Sequence, residues 1–297
     1  MINITRISSN IHVFEAHGEV EFLLISDLHW DNPHCDRQLL KNHLDEAVRR
    51  GAYIIINGDL FCAMQGKGDF RASKDDIRPE HNNGRYLDSI VDTAVDWFKP
   101  YAQNIVLVGY GNHETGVIKH KETDILERFV ATLNYACKSN VQLGGYGGVF
   151  HVNLAWMPLK EGEPHGNNLS YIIHYFHGSG GGGPVTKGVI QDQRLLASIE
   201  NYDMTWMGHV HELYEHTNIV NRYEPRFKKI KQKPVRQIRT ATYKEEWNDG
   251  KMGFHVERGR GPKPLGGYWL KLSIERDVRS DFVRYIYAEV TPCTRFY

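Results

Sequence analysis

The sequence predicts an α/β fold of layered sheets, at least one of them partly parallel. Three observations carry this expectation. Short apolar runs alternate with helical patterns from residue 21 to residue 108. The second half adds several more strand-like runs and few helices. The 297 residues, 41% apolar and 24% charged, have the length and profile of one large globular domain, read here as residues 1–297.

Each element has its own justification. Glu21-Phe22-Leu23-Leu24-Ile25 is a short apolar run that reads as a buried strand. Leu40, Leu44, Ala47 and Val48 then share one helical face, and Gly51 stops that helix. Tyr53-Ile54-Ile55-Ile56 is a second buried strand, and residues 63 to 84 are polar and loop-like. Leu87, Ile90, Val91, Ala94, Val95 and Phe98 recur at helical spacing before Pro100. Ile105 to Val108 makes a third strand, and Asp124 to Cys137 a further helix with Ile125, Phe129, Val130 and Leu133 inward. Strands are expected at Gly148–Ala155, Tyr171–Phe176, Met204–Met207, Tyr268–Ile274 and Phe282–Val290. Residues 222 to 267, basic and then rich in Gly and Pro, read as an elaboration of the same domain, with C-terminal strands over 268–291.

Bulk properties exclude little. Lys and Arg together equal Asp and Glu at 36 each, so net charge selects neither nucleic acid nor membrane. No apolar run approaches the ~20 residues of a membrane helix, and the first residues lack the build of a signal peptide. Cys35, Cys62, Cys137 and Cys293 are scattered without a C-x-x-C pair, which fits a reducing, cytoplasmic setting.

The chemistry gathers in five polar segments, each at the end of an apolar run. Asp27 and His29 are two apart, so in extended chain both face one way, a fair start to a metal site. An isolated D-x-H is more often a turn cap. Asp59 follows Gly58, and one carboxylate can bridge two cations. In Gly111-Asn112-His113-Glu114, Asn112 offers a neutral carbonyl oxygen and His113 a proton near neutral pH. His177 closes the run from Tyr171 to Phe176; its competitor His174 should face the other side of that strand. Gly208-His209-Val210-His211 sets two imidazoles on one face, able to serve two adjacent metals. Glu114 reads as a residue that orients a ligand or His113, and Asp31 and Asn32 as possible neighbours.

In order, these segments spell D-x-H, G-D, G-N-H-E, H and G-H-x-H. The set, over about residues 20 to 215, resembles the calcineurin-like metallophosphoesterase superfamily. That resemblance implies a four-layer α-β-β-α sandwich of two mixed sheets flanked by helices, with a two-metal centre at one sheet edge. It implies that Asp27, His29, Asp59 and His211 hold one ion, and Asp59, Asn112, His177 and His209 the other. His113 would bind no metal and would act as general acid. Two divalent ions, ~3.5–4 Å apart, clamp a phosphoryl group and turn a bridging water into a hydroxide for in-line attack. Mixed N and O donors suit Mn²⁺ first, with Fe or Zn²⁺ as alternatives.

Substrate signals are weaker. The run Gly178 to Gly183 is either a flexible turn or a backbone that admits a bulky substrate, with Ser179 or Lys187 touching phosphate. Arg222, Arg226, Lys228, Lys229, Lys231, Lys233, Arg236 and Arg239 face only Glu224 across residues 222–239, with Tyr223 and Phe227 interleaved. Such a stripe could track a nucleic-acid backbone or be plain solvated surface. Gly58-Asp59-Leu60-Phe61 is similar to the DNA double-strand-break repair nucleases, with Cys62 where a His or Asp often follows. The Asp-Arg-Gly of protein phosphatases is missing. The reading is a phosphodiesterase or nuclease acting on DNA. Its alternatives are a phosphomonoesterase on small molecules or nucleotides, and a non-catalytic scaffold of the same fold.

Overall fold

The computed structural model describes residues 3–66, 69, 72, 76–156, 168–183, 185–247, 254–257, 259, 261–276 and 284–294. Its strands are β1 (Ile4–Ser8), β2 (Ile11–His17), β3 (Glu19–Ile25), β4 (Tyr53–Asn57), β5 (Ile105–Gly109), β6 (Gln142–Leu143), β7 (Gly147–Ala155), β8 (Leu169–Phe176), β9 (Met204–Met207), β10 (Tyr214–Glu224), β11 (Lys229–Arg239), β12 (Gly266–Arg276) and β13 (Arg284–Thr294). Its helices are α1 (Arg37–Arg50), α2 (Tyr86–Phe98), α3 (Asn112–Lys121), α4 (Ile125–Cys137), α5 (Val189–Leu196) and α6 (Phe254–Glu257).

Two mixed sheets stack, one ordered β1-β2-β7-β8-β9-β11-β10 and the other β13-β12-β3-β4-β5-β6. β3, β4, β5 and β6 are parallel neighbours. Their apolar runs are buried on both faces, and alternation sorts the residues between two cores. Phe22, Leu24 and Ile55 point into the space between the sheets, with Phe14, Phe150, Ile173, Trp206 and Leu270. Leu23, Ile25, Ile54 and Ile56 point the other way, under Leu40 and Leu44 of α1, Phe98 of α2 and Phe129 of α4. On the outside of the other sheet, Gln193 and Asp192 of α5 bond Gln237 and Arg239 of β11. The result is the sandwich of two mixed sheets flanked by helices that the motifs imply.

Local chemistry sets the helix ends. Asp36 accepts a hydrogen bond from the Leu39 N–H at 2.9 Å and so caps α1, and Asp124 caps α4 through Leu126 and Glu127. Gly51 sits at φ 66 and returns its N–H to the last turn of α1, as its place in the sequence predicts. Val48, expected inward, is exposed instead; it lies on the rim of the apolar stripe that Leu44 and Ala47 define.

Several elements differ from expectation. β1, β2, α3, β6, α5 and α6 have no counterpart in it, and the basic stretch forms the long hairpin β10–β11. These edge strands alternate weakly: β1 buries only Ile4, and β10 buries none of its eleven residues. The last strand begins at Arg284 and runs on to Thr294; Phe282 lies outside the described residues. Among the described residues, no helix is long and apolar enough to cross a membrane.

Candidate metal centre

Six chain segments converge where β3, β4, β5, β8, β9 and β11 end. The first two loops are zipped by their backbones: Asp27 N–H donates to Gly58 O at 3.0 Å, His29 N–H to Asp59 O at 3.0 Å and Trp30 N–H to Leu60 O at 2.9 Å. This pairing holds residues in backbone conformations they would not choose. Asp27, His29, Asp59, His209 and His211 all have φ between 45 and 71. A left-handed non-glycine residue costs of order 1 kcal/mol or more, and here five such residues fall on the predicted ligands.

The side chains meet in two groups, Asp27 with His29 and His211, and Asp59 with His177 and His209, each with its potential ligand atoms within 4.8 Å of one another. His29 Nε2 lies 3.3 Å from His211 Nε2, and His211 Nε2 3.4 Å from Asp27 Oδ1. His177 Nε2 lies 3.2 Å from Asp59 Oδ2 and 4.0 Å from Asp27 Oδ1, which joins the groups. Asn112 Oδ1 is 3.2 Å from His177 Nε2 and 2.8 Å from His209 Nδ1. Two glycines make this crowding possible: a Cβ on Gly111 would lie 2.0 Å from Asp59 Oδ1, and one on Gly208 2.4 Å from Asp27 Oδ2.

Outer contacts choose which ring nitrogen faces inward. His177 Nδ1–H donates to Asn57 O at 2.8 Å, leaving Nε2 inward. His209 does the reverse: Nε2–H donates to Gly180 O at 2.9 Å, leaving Nδ1 beside Asn112. His113 Nδ1–H donates to Cys62 O at 2.6 Å, so its Nε2 looks at Asp59 Oδ2 from 3.7 Å. Carboxylates are pinned as well. Glu114 accepts from the N–H groups of Asp59, Phe61 and Gly111, which fits the orienting role expected of it. Asp31 accepts from Cys62 N–H at 2.5 Å, Ala63 N–H at 3.0 Å and Tyr86 O–H at 2.6 Å. Asn32 donates to Cys62 Sγ at 3.4 Å.

The electrostatics are those of buried opposite charges. Burial pushes the Asp27 carboxyl up, but the facing His177 and His211 outweigh it and hold it at about 2. Burial likewise opposes Asp59, whose carboxyl His177 and His113 hold well below the usual range. Burial pushes His177 and His113 down, yet the Asp59 charge dominates and raises them to about 9 and about 10. Burial, then the Asp59 charge, lifts Glu114 to about 7 against its backbone donors. His29 and His209 are lowered, chiefly by burial and then by neighbouring imidazoles, which together outweigh the pull of the carboxylates. Protons on two imidazoles thus balance the carboxylates where cations could do so instead.

Sequence reasoning missed the support from beyond residue 215. Ser26 Oγ donates to Asp27 Oδ2 at 2.5 Å and lies 2.7 Å from Thr240 Oγ1, while Thr242 Oγ1 donates to Asp27 O at 2.8 Å. Arg239, counted with the exposed stripe, is buried, paired with Asp192 and bonded to the Gly208 carbonyl at the root of the His209 loop. No motif signals these residues, because the strand that delivers them was itself illegible.

The other expected contacts are placed elsewhere. His174 lies on the opposite face of β8 from His177, and Ser179 and Lys187 are exposed. The glycine run meets the centre through the Gly180 carbonyl. The basic stripe does not line the centre. β10 and β11 pair from Tyr214↔Arg239 to Glu224↔Lys229, and Arg239 is level with Met207 of β9. At ~3.3 Å per residue, the ten steps from Arg239 to Lys229 carry the turn about 33 Å away, beyond the start of β9. Lys233 pairs with Asp203, Arg236 with Glu215, and Lys231 lies 3.8 Å from Glu224. Arg222, Arg226, Lys228 and Lys229 remain exposed at the turn with Tyr223, Phe227 and Ile230.

No family model matches the chain, and no curated protein matches it significantly. Its fold has a metallophosphoesterase among its structural neighbours, the crystal structure of the Sphaerobacter thermophilus protein. That likeness has 14% identity over 94% of this chain and 89% of that one, with a TM-score of 0.33. A second is GAP50, the anchor in the inner membrane complex of Plasmodium, at 9% identity over 90% and 88%, TM-score 0.36. At such values neither bears on what this chain does.

Proposed function

We propose that this chain is a metal-dependent phosphoesterase with a dinuclear centre. The observation that carries the reading is the pair of adjacent donor groups, Asp27/His29/His211 and Asp59/His177/His209, with Asn112 Oδ1 beside the second. The donors are buried carboxylates, imidazoles and one amide, a set that suits Mn²⁺, Fe or Zn²⁺. Asp59 belongs to the second group, and its charge also acts on His29 of the first. Bound there, two cations would stabilise charge on a phosphoryl group and make water nucleophilic at neutral pH.

The chain's own residues complete the site. His113 is held by the Cys62 carbonyl in the tautomer that aims Nε2 at the reacting side, where it can hand a proton to the leaving oxygen. A cavity of about 680 Å³ opens beside it, lined by Ala63, Tyr86, Val117, His120, Lys121 and Arg128, and offers room for the leaving group. Asp31, through Tyr86 and the Cys62 and Ala63 amides, fixes the loop between the two.

The finer reading is a nuclease on DNA. It is supported by the Gly58-Asp59-Leu60-Phe61 motif and by the four exposed cations at the hairpin turn. At 3.4 Å per base pair, about ten pairs of duplex cover the roughly 33 Å from centre to turn. The test is hydrolysis by Mn²⁺-loaded protein of duplexes of 6 and 30 base pairs beside a phosphomonoester, with Asp59→Asn as blank. Cleavage favouring the long duplex and lost in the blank is expected. Turnover of the monoester alone would leave the phosphoesterase and remove the nuclease; blank-level rates throughout would remove both.

A further inference from the structure

A third set of ligating side chains overlaps the centre, sharing His29 with the first donor group and adding Cys62 and His113, which neither group uses; its ligand atoms also lie within 4.8 Å of one another. Cys62 is 1% exposed, so its sulfur faces the interior and not solvent. Its position is fixed on three sides. Asn32 Nδ2 donates to Sγ at 3.4 Å, its N–H is held by Asp31 at 2.5 Å, and its carbonyl accepts from His113 Nδ1 at 2.6 Å. That last bond also turns His113 Nε2 inward, as a ligand would need. Nothing in ester hydrolysis calls for a thiol at this place.

We infer that His29, Cys62 and His113 form a third metal seat, selective for a soft divalent ion such as Zn²⁺ or Cd²⁺. Thiolate and imidazole are soft and borderline donors, whereas the two main groups add hard carboxylate oxygens. Zinc bonds of ~2.0 Å to nitrogen and ~2.3 Å to sulfur in a tetrahedron place these ligand atoms ~3.3–3.5 Å apart, so the cluster closes by about 1.5 Å at most on binding. The sulfur–metal bond forms as the S–H bond breaks, with the proton released to water. The fourth position is left to water. His29 belongs also to the group with Asp27 and His211, so a soft ion here displaces the ion of that group. It also engages the Nε2 of His113. Excess Zn²⁺ would therefore inhibit the centre. The seat itself stands apart from the phosphoesterase reading; only the inhibition rests on it.

The test is a Cd²⁺ titration of the metal-free full-length chain, read by thiolate-to-metal ultraviolet absorption. One sulfur–cadmium bond per chain is expected, absent in Cys62→Ser and intact in Cys137→Ser, while Cys62→Ser still takes up two Mn²⁺. A band that survives in Cys62→Ser, or none in the parent chain, overturns the seat. Cadmium NMR of the unsubstituted chain decides the same point should Cys62→Ser fail to fold: a resonance shifted by one sulfur supports the seat, and only nitrogen- and oxygen-bound resonances sink it. In Mn²⁺-loaded protein, half-inhibition by Zn²⁺ should need at least ~10-fold more Zn²⁺ after Cys62→Ser. A Cys62-dependent band in a chain that hydrolyses no ester would keep the seat and remove the proposed function.

Discussion

At the centre, Asp27, Asp59 and Glu114 are buried, and every carboxylate is met by an imidazole or by backbone N–H groups. At the hairpin turn, Arg222, Arg226, Lys228 and Lys229 are exposed, and none of the four has an ion pair among the described residues. Buried charges are costly unless fully answered, so the centre's geometry is dictated and its failure would be felt throughout the molecule. Exposed charges keep their hydration and rotamers, and they matter only when a partner arrives. The same residue types thus act as framework in one region and as grip in the other.

The contrast can be broken most forcefully at Asp59, the carboxylate that the motifs cast as the bridge between the two ions. Asp59→Asn should cut metal uptake measured by elemental analysis and lower turnover by more than ~10³-fold. Full metal content in that variant would dissolve the dinuclear reading. Next comes His113→Ala, expected to keep both metals and slow hydrolysis of an alkyl ester by roughly 10²–10⁴-fold, with much less effect on an activated aryl ester. Equal losses on both esters would take the proton transfer away from His113. Glu114→Gln should cost about 1–3 kcal/mol in denaturant unfolding, because one of the two oxygens that accept from the three backbone N–H groups becomes an amide nitrogen that cannot.

Acidity sharpens the same comparison. In the metal-free chain His177 sits at about 9 against its ordinary 6.5. A raised value means that folding holds the proton, so this stabilisation is complete below pH 6.5 and is lost as pH rises through about 9. Metal must displace that proton, so metal affinity should climb over the same interval while metal-free stability falls. Melting curves with and without Mn²⁺ from about pH 6 to about 9.5 would show the opposed trends, and parallel trends would exclude His177 as the shared group. The smallest effect on the fold belongs to the turn. Lys228→Glu with Lys229→Glu should leave stability within ~0.5 kcal/mol and small-ester turnover unchanged. DNA affinity should weaken, and its salt slope should drop by about two.

How much of this was legible follows from where burial is two-sided. β3, β4 and β5 are continuous apolar runs because both their faces are covered, and the polar residues that end them stand out by contrast. All seven predicted ligands and His113 fall together for that reason. β10 has one neighbour and no buried residue, so its alternation is drowned by His, Asn and Arg. β11 buries Val235, Gln237, Ile238 and Arg239 within a run that reads as charge alone. Arg239 shows the limit: in sequence it is one more surface cation, and only its pairing with Asp192 under the Gly208 carbonyl reveals a brace. Thr240 and Thr242 were unreadable for the same cause, since a hydroxyl behind a carboxylate leaves no spacing to detect.

The left-handed backbone shared by Asp27, His29, Asp59, His209 and His211 bears on how the molecule comes into being. None of these conformations is favoured locally, so no fragment of the chain can hold them in advance. The braces come last: Thr240 and Thr242 follow every donor in sequence, more than two hundred residues after Asp27. Such long-range closure is slow, so the donor groups settle only when the chain as far as Thr242 is in hand. On the proposed reading, uptake of metal by a nascent chain would then begin only once Thr242 has emerged, while β12 has yet to join the edge of β3.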